Sequence, residues 1–327
     1  MRLIAHNEER FPKKIRAGKA GKQKVRFQYF EDCYKENAFL AEDIRQTVQN
    51  GVPLSEIAVL FRTNMQPRAL MEYMVSANLA FQTKDRIPDI YEHWIARDFF
   101  TYIRIAQGSD SRADFLSIMN RPKRYIGRDS LPDETVCFDE WMKLYEEQPW
   151  IAERIEKLWY DLKHLSRLSP YAAINYIRRG IGYDDYLAEY AEYQNANKED
   201  FYEVADEILA SAKGYRTFEE WFAHIEEYRQ ELKRLAQEKR RNQNAVTFAT
   251  LHSAKGLEFT KVYLIDVNEG VMPYKKAVLK QDVEEERRLF YVGMTRAKES
   301  LTICSVKKMR GKEVELSRFI KEAGKEP

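Results

Sequence analysis

The stretch HSAKGLEF at residues 252–259 has the residue types of a phosphate-binding loop in the wrong order. A P-loop requires the spacing G-x-x-x-x-G-K-[ST] between a strand and a helix, because backbone N–H groups and the lysine surround the phosphates. Here Gly256 follows Lys255, and Glu258 places a carboxylate where phosphate oxygens would be repelled. GKAGK at 18–22 also lacks the spacing and precedes a strand-like run. The sequence contains no P-loop, so the 252–259 stretch must have another role.

Both ends of the chain have the pattern of alternating strands and helices that would position such a loop. Apolar residues at period two, or in short continuous runs, predict strands, and apolar residues at helical spacing predict helices. The alternation predicts an α/β fold in which helices cover both faces of a parallel sheet. The predicted strands are 24–30, 56–61, 245–250, 261–267 and 300–305, and the predicted helices are 36–51, 67–78 and 284–298.

The middle of the chain has a different composition. It is rich in Trp, Tyr and charged residues, has few β-branched runs, and is typical of helices. An all-helical block between two α/β segments is best explained as an insertion. We therefore predict a discontinuous α/β domain formed by 1–96 and 245–327, with an inserted helical subdomain at 97–244.

Composition limits the protein classes that fit. Lys plus Arg number 54 against 52 for Asp plus Glu, so any polyanion contact depends on locally placed cations. Three cysteines without a C-x-x-C pair indicate a reducing compartment and argue against structural zinc. No apolar window is long enough to cross a bilayer, and the N-terminus lacks the pattern of a signal peptide. We expect a cytoplasmic protein without a membrane partner and without a metal site of its own.

Three clusters of the sequence resemble those of one enzyme family. In order and wording they are similar to motifs IV, V and VI of the UvrD/PcrA/Rep group of superfamily 1 DNA helicases. The resemblance implies the C-terminal half of such an enzyme, a second RecA-like domain that carries an inserted helical subdomain. The P-loop and the acids that hold Mg²⁺ would then lie in a first RecA-like domain outside this sequence. The clusters are AVLFRTNMQPRALME at 58–72, VTFATLHSAKGLEF at 246–259 and EEERRLFYVGMTRAKESL at 284–301, supported by EGVMP at 269–273 and SRFIKEA at 317–323.

The resemblance assigns ATP contacts to four residues. Arg62 and Arg296 match two arginines that contact the γ-phosphate, where guanidinium groups stabilise the charge of phosphoryl transfer. Glu258 matches a carboxylate that accepts hydrogen bonds from the ribose. Phe61 stands where the family has a tyrosine that stacks on adenine; a core phenylalanine that ends a buried strand is the alternative. ATP and Mg²⁺ are the expected cofactors, and this half alone is not expected to hydrolyse ATP.

The resemblance also assigns DNA contacts. His252, Ser253 and Lys255 match a loop that contacts single-stranded DNA. In the insertion, RPKRYIGRDSL at 121–131 resembles a G-I-G loop that approaches duplex phosphates, although Tyr125 replaces the first glycine. A charged turn without DNA contact is the alternative. The candidate duplex contacts are Lys123, Arg124, Gly127 and Arg128.

Two further features qualify the resemblance. The stretch 83–94 lacks the glycines of a family element that touches single-stranded DNA, and Lys84 and Arg86 are its candidate cations. Glu286 and Arg287 are expected to support the third cluster through ion pairs.

The implied activity of the whole enzyme is 3′→5′ translocation on single-stranded DNA driven by ATP. Its partners would be single-stranded DNA, forked DNA and the P-loop domain. Two alternatives are the helicase part of an AddA/RecB-like helicase–nuclease, which shares the second and third clusters, and a non-catalytic module that binds DNA or another protein.

Overall fold

The computed structural model describes residues 3–8, 25–85, 87–238 and 244–324. Arg86 and the GKAGK segment at 18–22 lie outside these ranges. Among the described residues the strands are β1 (Val25–Asp32), β2 (Ile57–Phe61), β3 (Phe81–Thr83), β4 (Val246–Thr250), β5 (Phe259–Leu264), β6 (Ala297–Met309) and β7 (Lys312–Glu313). The α-helices are α1 (Cys33–Gln49), α2 (Arg68–Ser76), α3 (Trp94–Ala106), α4 (Arg112–Ile118), α5 (Phe138–Lys143), α6 (Pro149–Leu165), α7 (Pro170–Arg179), α8 (Tyr183–Tyr193), α9 (Lys198–Ser211), α10 (Phe218–Glu238), α11 (Lys280–Met294) and α12 (Arg318–Glu322).

The chain divides into two compact units. One consists of Met1–Pro88 and Tyr228–Pro327, and the other of Asp89–Glu227. The second unit overlaps the helical insertion that the sequence predicts at 97–244. Its first residue precedes that range, and its last falls within α10.

The first unit contains a sheet with the strand order β1-β6-β5-β2-β4-β3. These six strands are parallel to their neighbours, and the short β7 pairs antiparallel with β6. All residues of β2 and β4 are buried. Complete burial is expected for strands that are covered on both faces. Strand β2 has the continuous apolar sequence that is typical of such strands, whereas β4 also buries Thr247 and Thr250.

Helices cover both faces of this sheet. Alternate residues of a strand point to opposite faces, and Lys261 and Tyr263 of β5 each donate a hydrogen bond to Asp43 of α1 (2.6 Å). Leu264 points the other way and packs in the core cluster that contains Phe290 of α11. Helices α1 and α11 therefore lie on opposite faces. The predicted α/β class, a parallel sheet flanked by helices, is confirmed.

The second unit is helical and has an aromatic core. The carboxylate of Asp98 in α3 accepts hydrogen bonds from the Tyr183 hydroxyl (2.6 Å) and from Arg121 (2.8 Å). Burial raises the pKa of Asp98, although both donors oppose the shift. This buried group joins α3, α8 and the loop after α4. The largest fully buried side chains of the unit are Trp141, Trp221, Tyr102, Tyr183, Phe99 and Phe115.

No helix within the described ranges is both long enough and apolar enough to span a membrane.

Candidate nucleotide and DNA interface

Parallel strands give the sheet two different edges. Arg62 follows β2 and Leu251 follows β4, so both lie at the carboxyl edge. Glu258 precedes β5 and Arg296 precedes β6, so both lie at the amino edge. The two edges are separated by the length of a strand, which is about 20 Å for six residues at 3.3 Å each.

The loop that joins β4 to β5 crosses from one edge to the other. Its first backbone bonds are helical, because Ala254 N–H donates to Thr250 C=O (2.9 Å) and Leu257 N–H donates to Ala254 C=O (3.1 Å). Leu251 and Ala254 are buried in the core and anchor the loop. Gly256 has φ of 81°, the left-handed conformation that favours glycine. The exposed residues of the loop are His252, Ser253, Lys255, Gly256 and Glu258.

Asp85 holds the beginning of this loop. Its carboxylate accepts a hydrogen bond from Thr250 N–H (2.7 Å) and another from the Ser253 hydroxyl. Local sequence patterns could not reveal this contact, because Asp85 is 168 positions from Ser253. The one available signal is that 83–94 contains acids and lacks glycine. Asp85 thus places a negative charge beside a proposed DNA contact.

Lys84 is the candidate cation of 83–94 that lies within the described residues, and its side chain is exposed. Its backbone N–H donates to Phe248 C=O (2.9 Å), which continues the β3–β4 pairing. The side chain is therefore available to an external anion.

Arg296 and Glu258 occupy the same corner of the amino edge. The Arg296 guanidinium donates to Leu257 C=O (3.0 Å) and to Val292 C=O (3.0 Å), and Nη2 donates to the Thr295 hydroxyl (3.0 Å). Glu258 follows Leu257 directly and is exposed. A guanidinium has five N–H donors, so among the described residues these three bonds leave two for an external acceptor. The corner combines a fixed cation with an exposed carboxylate.

Arg62 lies elsewhere and is already paired. Its Nε and Nη2 donate to the Glu286 carboxylate (3.0 and 2.8 Å), and its guanidinium lies 5.2 Å from the centre of the Tyr274 ring. Glu286 also accepts from Tyr274 N–H (3.1 Å). This bidentate pair is mostly buried, with 21% of the Arg62 side chain and 9% of the Glu286 side chain exposed.

Arg62 and Arg296 have different positions and partners in the structure. Arg62 lies at the carboxyl edge and binds Glu286 of α11, whereas Arg296 follows the end of α11 and lies at the amino edge. A shared contact with one γ-phosphate stays a prediction.

Phe61 is buried in this structure, and its stacking on adenine stays a prediction. It is the last residue of β2, only 1% of it is exposed, and its ring centre lies 6.5 Å from that of Phe248. Adenine could reach this ring only if core side chains moved away. The alternative given by the sequence, a core phenylalanine at the end of a buried strand, fits the structure.

Arg124 has hydrogen-bond partners within its own unit. In the loop of the second unit, its guanidinium donates to the carbonyls of Ile118 and Met119 (3.2 and 3.1 Å) and to the Tyr102 hydroxyl (3.1 Å). Only 7% of Arg124 is exposed, so in this structure it stabilises the loop, and its contact with DNA phosphates stays a prediction. The remaining candidates of this loop, Lys123, Gly127 and Arg128, are exposed.

The expected ion pairs of Glu286 and Arg287 are present. Arg287 donates to Glu322 of α12 (2.6 Å) and to Asn7 (2.6 Å), and Glu286 binds Arg62. These contacts fix α11 to three separate parts of the first unit.

A buried cluster of titratable side chains lies on the face of the sheet that α1 covers, opposite α11. The sulfur of Cys33 and the carboxylates of Glu36 and Asp266 lie within 4.8 Å of one another. Burial, and next the charge of Asp266, raise the pKa of Glu36 well above its ordinary value. The Asp266 N–H donates to Glu36 (3.3 Å), and Gln66 donates to the Asp266 carboxylate (3.4 Å). Burial and the neighbouring carboxylate thus favour the protonated form of Glu36, and we do not assign the group as a metal site.

Comparison with known proteins identifies the family. The profile of the UvrD-like helicase C-terminal domain matches residues 1–308. The ATP-dependent DNA helicase PcrA of Staphylococcus epidermidis (strain RP62A) is 29% identical over 352 residues, which cover 98% of this chain and 46% of that protein. PcrA of Bacillus subtilis (strain 168) is 28% identical over 333 residues, 93% of this chain and 44% of that protein. YjcD of Bacillus subtilis (strain 168) is 26% identical over 332 residues, 97% of this chain and 43% of that protein. The chain spans less than half the length of each of these relatives. It belongs to the UvrD-like helicase C-terminal domain family.

Proposed function

We propose that this chain is the C-terminal half of an ATP-dependent DNA helicase that moves 3′→5′ along single-stranded DNA. This half would depend on a P-loop domain for hydrolysis. The observation that carries this proposal is the path of the β4–β5 loop. It begins with His252 and Ser253 at the carboxyl edge and ends with Glu258 beside Arg296 at the amino edge. One short loop thus links a surface for DNA to a corner for a nucleotide.

At the nucleotide corner, Arg296 would bind the γ-phosphate and Glu258 the ribose. Two N–H donors of Arg296 have no partner within the described residues, and they suit phosphate oxygens. The Glu258 carboxylate can accept hydrogen bonds from sugar hydroxyls, as acids do in other nucleotide sites. ATP would be held mainly by the P-loop domain, which would also hold Mg²⁺, the ion that neutralises charge on the phosphates.

Energetic considerations support the dependence on a second domain. A charge-assisted hydrogen bond contributes about 1.5–3 kcal/mol, whereas association costs roughly 4–15 kcal/mol. The few bonds available from Arg296 and Glu258 leave weak ATP binding. We therefore expect no ATP hydrolysis by this half alone.

At the DNA surface, His252, Ser253 and Lys255 would contact single-stranded DNA. Lys255 supplies charge to a phosphate, and His252 supplies a ring and a hydrogen-bonding nitrogen. In the second unit, Lys123, Arg128 and the backbone at Gly127 would contact duplex phosphates. Each of these side chains is exposed. Movement of the loop on ATP binding would change the DNA contacts and produce a step.

Arg62 has a positioning role in this proposal. Its bidentate bond to Glu286 fixes α11 against β2, and α11 leads into Arg296. Loss of Arg62 would disturb the nucleotide corner from a distance.

A non-catalytic DNA-binding module is the second candidate. The acid at Asp85 and the missing glycines of 83–94 favour it, because both alter a surface at which the family touches DNA. This candidate predicts DNA binding without any ATPase activity when the P-loop half is supplied.

The test is the DNA-stimulated ATPase activity of this chain together with its P-loop half. Arg296→Ala should lower kcat by about a thousand-fold, and Glu258→Gln should raise the KM for ATP with little change in kcat. Lys35→Ala, an exposed substitution on α1, serves as the control. A rate that does not change in Arg296→Ala would overturn the assigned γ-phosphate contact.

A further inference from the structure

Two exposed aromatic rings and two cations form a continuous surface in the second unit. The Arg154 guanidinium lies 5.2 Å from the ring centre of Tyr125 and 4.9 Å from that of Trp150. The Lys123 ammonium lies 4.8 Å from the Tyr125 ring. Tyr125 is 57% exposed and Trp150 is 49% exposed. We call Lys123, Tyr125, Trp150 and Arg154 the aromatic patch.

The loop is built so that Tyr125 must point outward. The side-chain carbonyl of Asn120 accepts hydrogen bonds from the backbone N–H groups of Arg124 (3.2 Å) and Ile126 (3.1 Å). The side-chain amide of Asn120 donates to Ile126 C=O (2.8 Å). Arg124 and Ile126 are buried on either side. Tyr125 has φ of 59°, a left-handed conformation that is unfavourable for a bulky residue. Glycine, which the family has here, would adopt it without strain.

Other exposed tyrosines of this unit have a simpler explanation. Tyr160 and Tyr193 are exposed to 57% and 85%, but they lie in the regular helices α6 and α8. Helix geometry alone places those rings on the surface. Tyr125 is exposed through a disfavoured backbone conformation that the partly buried hydrogen bonds of Asn120 maintain.

The charge around the patch favours an anion that carries a flat ring. The segments 121–128 and 150–154 contain a single acid, Glu153. Three exposed or half-buried cations, Lys123, Arg128 and Arg154, accompany it. Aromatic faces stack on nucleobases, and nearby Lys and Arg bind the linking phosphates. An unpaired nucleotide combines both requirements.

We propose that the aromatic patch stacks an unpaired DNA base where a single strand leaves the duplex. Tyr125 and Trp150 hold the base, and Lys123 and Arg154 bind the phosphates on either side. The adjacent Gly127 and Arg128 are the duplex contacts of the proposed function, on which this inference rests. The patch would therefore recognise the junction.

The test uses this chain and a forked DNA with 2-aminopurine at the first unpaired position. Stacking on the patch should change the 2-aminopurine fluorescence, and anisotropy of the same DNA gives the Kd. Tyr125→Gly and Trp150→Ala should each abolish the fluorescence change and raise the Kd for forked DNA about ten-fold. Binding of blunt duplex should stay the same. Tyr125→Gly relieves the backbone strain, so loss of folding cannot explain its effect.

Matched variants define the outcomes. Tyr125→Phe should retain the signal, and Tyr160→Ala and Tyr193→Ala should leave both measurements unchanged. Base stacking is refuted if Tyr125→Gly changes neither the fluorescence nor the Kd, or if it weakens binding of blunt duplex and of forked DNA equally. The role that remains for the patch is then contact with phosphates. In that case the proposed function still stands, provided that Lys255→Ala weakens binding of single-stranded DNA. If the unaltered chain binds no DNA, both proposals fail.

Discussion

Arg62 and Glu286 form a bidentate ion pair at 2.8–3.0 Å across 224 positions of the chain. The pair joins the end of β2 to the middle of α11 beneath the Tyr274 ring. Arg62, whose motif resembles one that contacts phosphate, thus has an acidic partner within its own unit. The corner that we propose for the nucleotide is formed by Arg296 and Glu258.

Removal of the charge from Glu286 should destabilise the first unit. In Glu286→Gln, the mostly buried Arg62 cation loses its counter-charge, which costs about 3–5 kcal/mol for a buried pair. Urea unfolding measures the change. Glu285→Gln is the matched control, because Glu285 lies next in the same helix in an exposed pair with Arg288 and should change stability by less than about 1 kcal/mol. If Arg62→Ala abolished ATPase activity without loss of stability, a direct role for Arg62 would be restored.

Neutralisation of Asp85 should strengthen binding of single-stranded DNA. Asp85→Asn keeps an oxygen acceptor for Thr250 N–H and removes a negative charge beside Ser253. We expect a Kd that is lower by about two- to five-fold, with the largest gain at low salt. Anisotropy with a thymidine oligonucleotide measures this, and Glu42→Gln on the exposed side of α1 is the control. A weaker complex would mean that Asp85 orders the loop for DNA.

Glu36 should make the stability of the fold depend on pH. Its folded pKa lies above its ordinary value of 4.5, with burial as the largest cause. The folded state therefore binds a proton more tightly than the unfolded state, so stability is greatest below the unfolded pKa. It falls as pH rises from about 4.5 through the folded pKa.

Glu36→Gln tests this sign. The variant resembles the protonated acid, so it should be more stable than the unaltered chain at neutral pH and should have a flatter profile. Urea unfolding at several values from about pH 5 to pH 8 provides the comparison. Glu42→Gln, one and a half turns further along α1 and exposed, should leave the slope unchanged. An unaltered slope in Glu36→Gln would contradict a raised pKa.

Gly293 should be essential for the contact between α11 and the β4–β5 loop. A Cβ at this position would lie 2.3 Å from Leu251 Cδ2 and 3.3 Å from Leu264 Cδ2. Gly293→Ala should therefore displace Leu251, lower stability by about 1–3 kcal/mol and weaken binding of single-stranded DNA. If the clash is the cause, Leu251→Ala should cost less in the Gly293→Ala background than alone. Additive effects would refute the contact.

The sequence predicted those parts of the fold that depend on local patterns. The continuous apolar run at 56–61 is strand β2, and the helical spacing at 284–298 corresponds to α11 (Lys280–Met294). Periodicity was less reliable for single positions. Val48 of α1 fits the apolar spacing but is 37% exposed, while Thr47 is buried and accepts a hydrogen bond from Lys261. The strand predicted at 261–267 also extends too far, because β5 ends at Leu264. Asp266 adopts φ of 51° and thus leaves the extended conformation.

Contacts between distant parts of the chain could not be predicted in the same way. Motif similarity identified Arg62, but only the fold brings Glu286 to it. Arg124 has the composition of a phosphate contact, and its burial follows from carbonyls of the preceding turn that no spacing rule reveals. Asp85 lies in a stretch that departs from the family, so resemblance had nothing to transfer. Glu258 and Lys255, two candidates that are exposed, belong to one short loop whose sequence specifies them together.

Helix α11 is held at its middle by the bond between Glu286 and Arg62, and Arg296 lies just past its C-terminal end. A stiff rod held in this way magnifies small rotations at its pivot. Over the roughly 15 Å from position 286 to 296, a tilt of about 5° would shift Arg296 by a little more than 1 Å. A shift of that size is enough to misalign a catalytic contact. A change at β2 that loosens the pair between Arg62 and Glu286 would thus misalign the phosphate contact that we propose for Arg296.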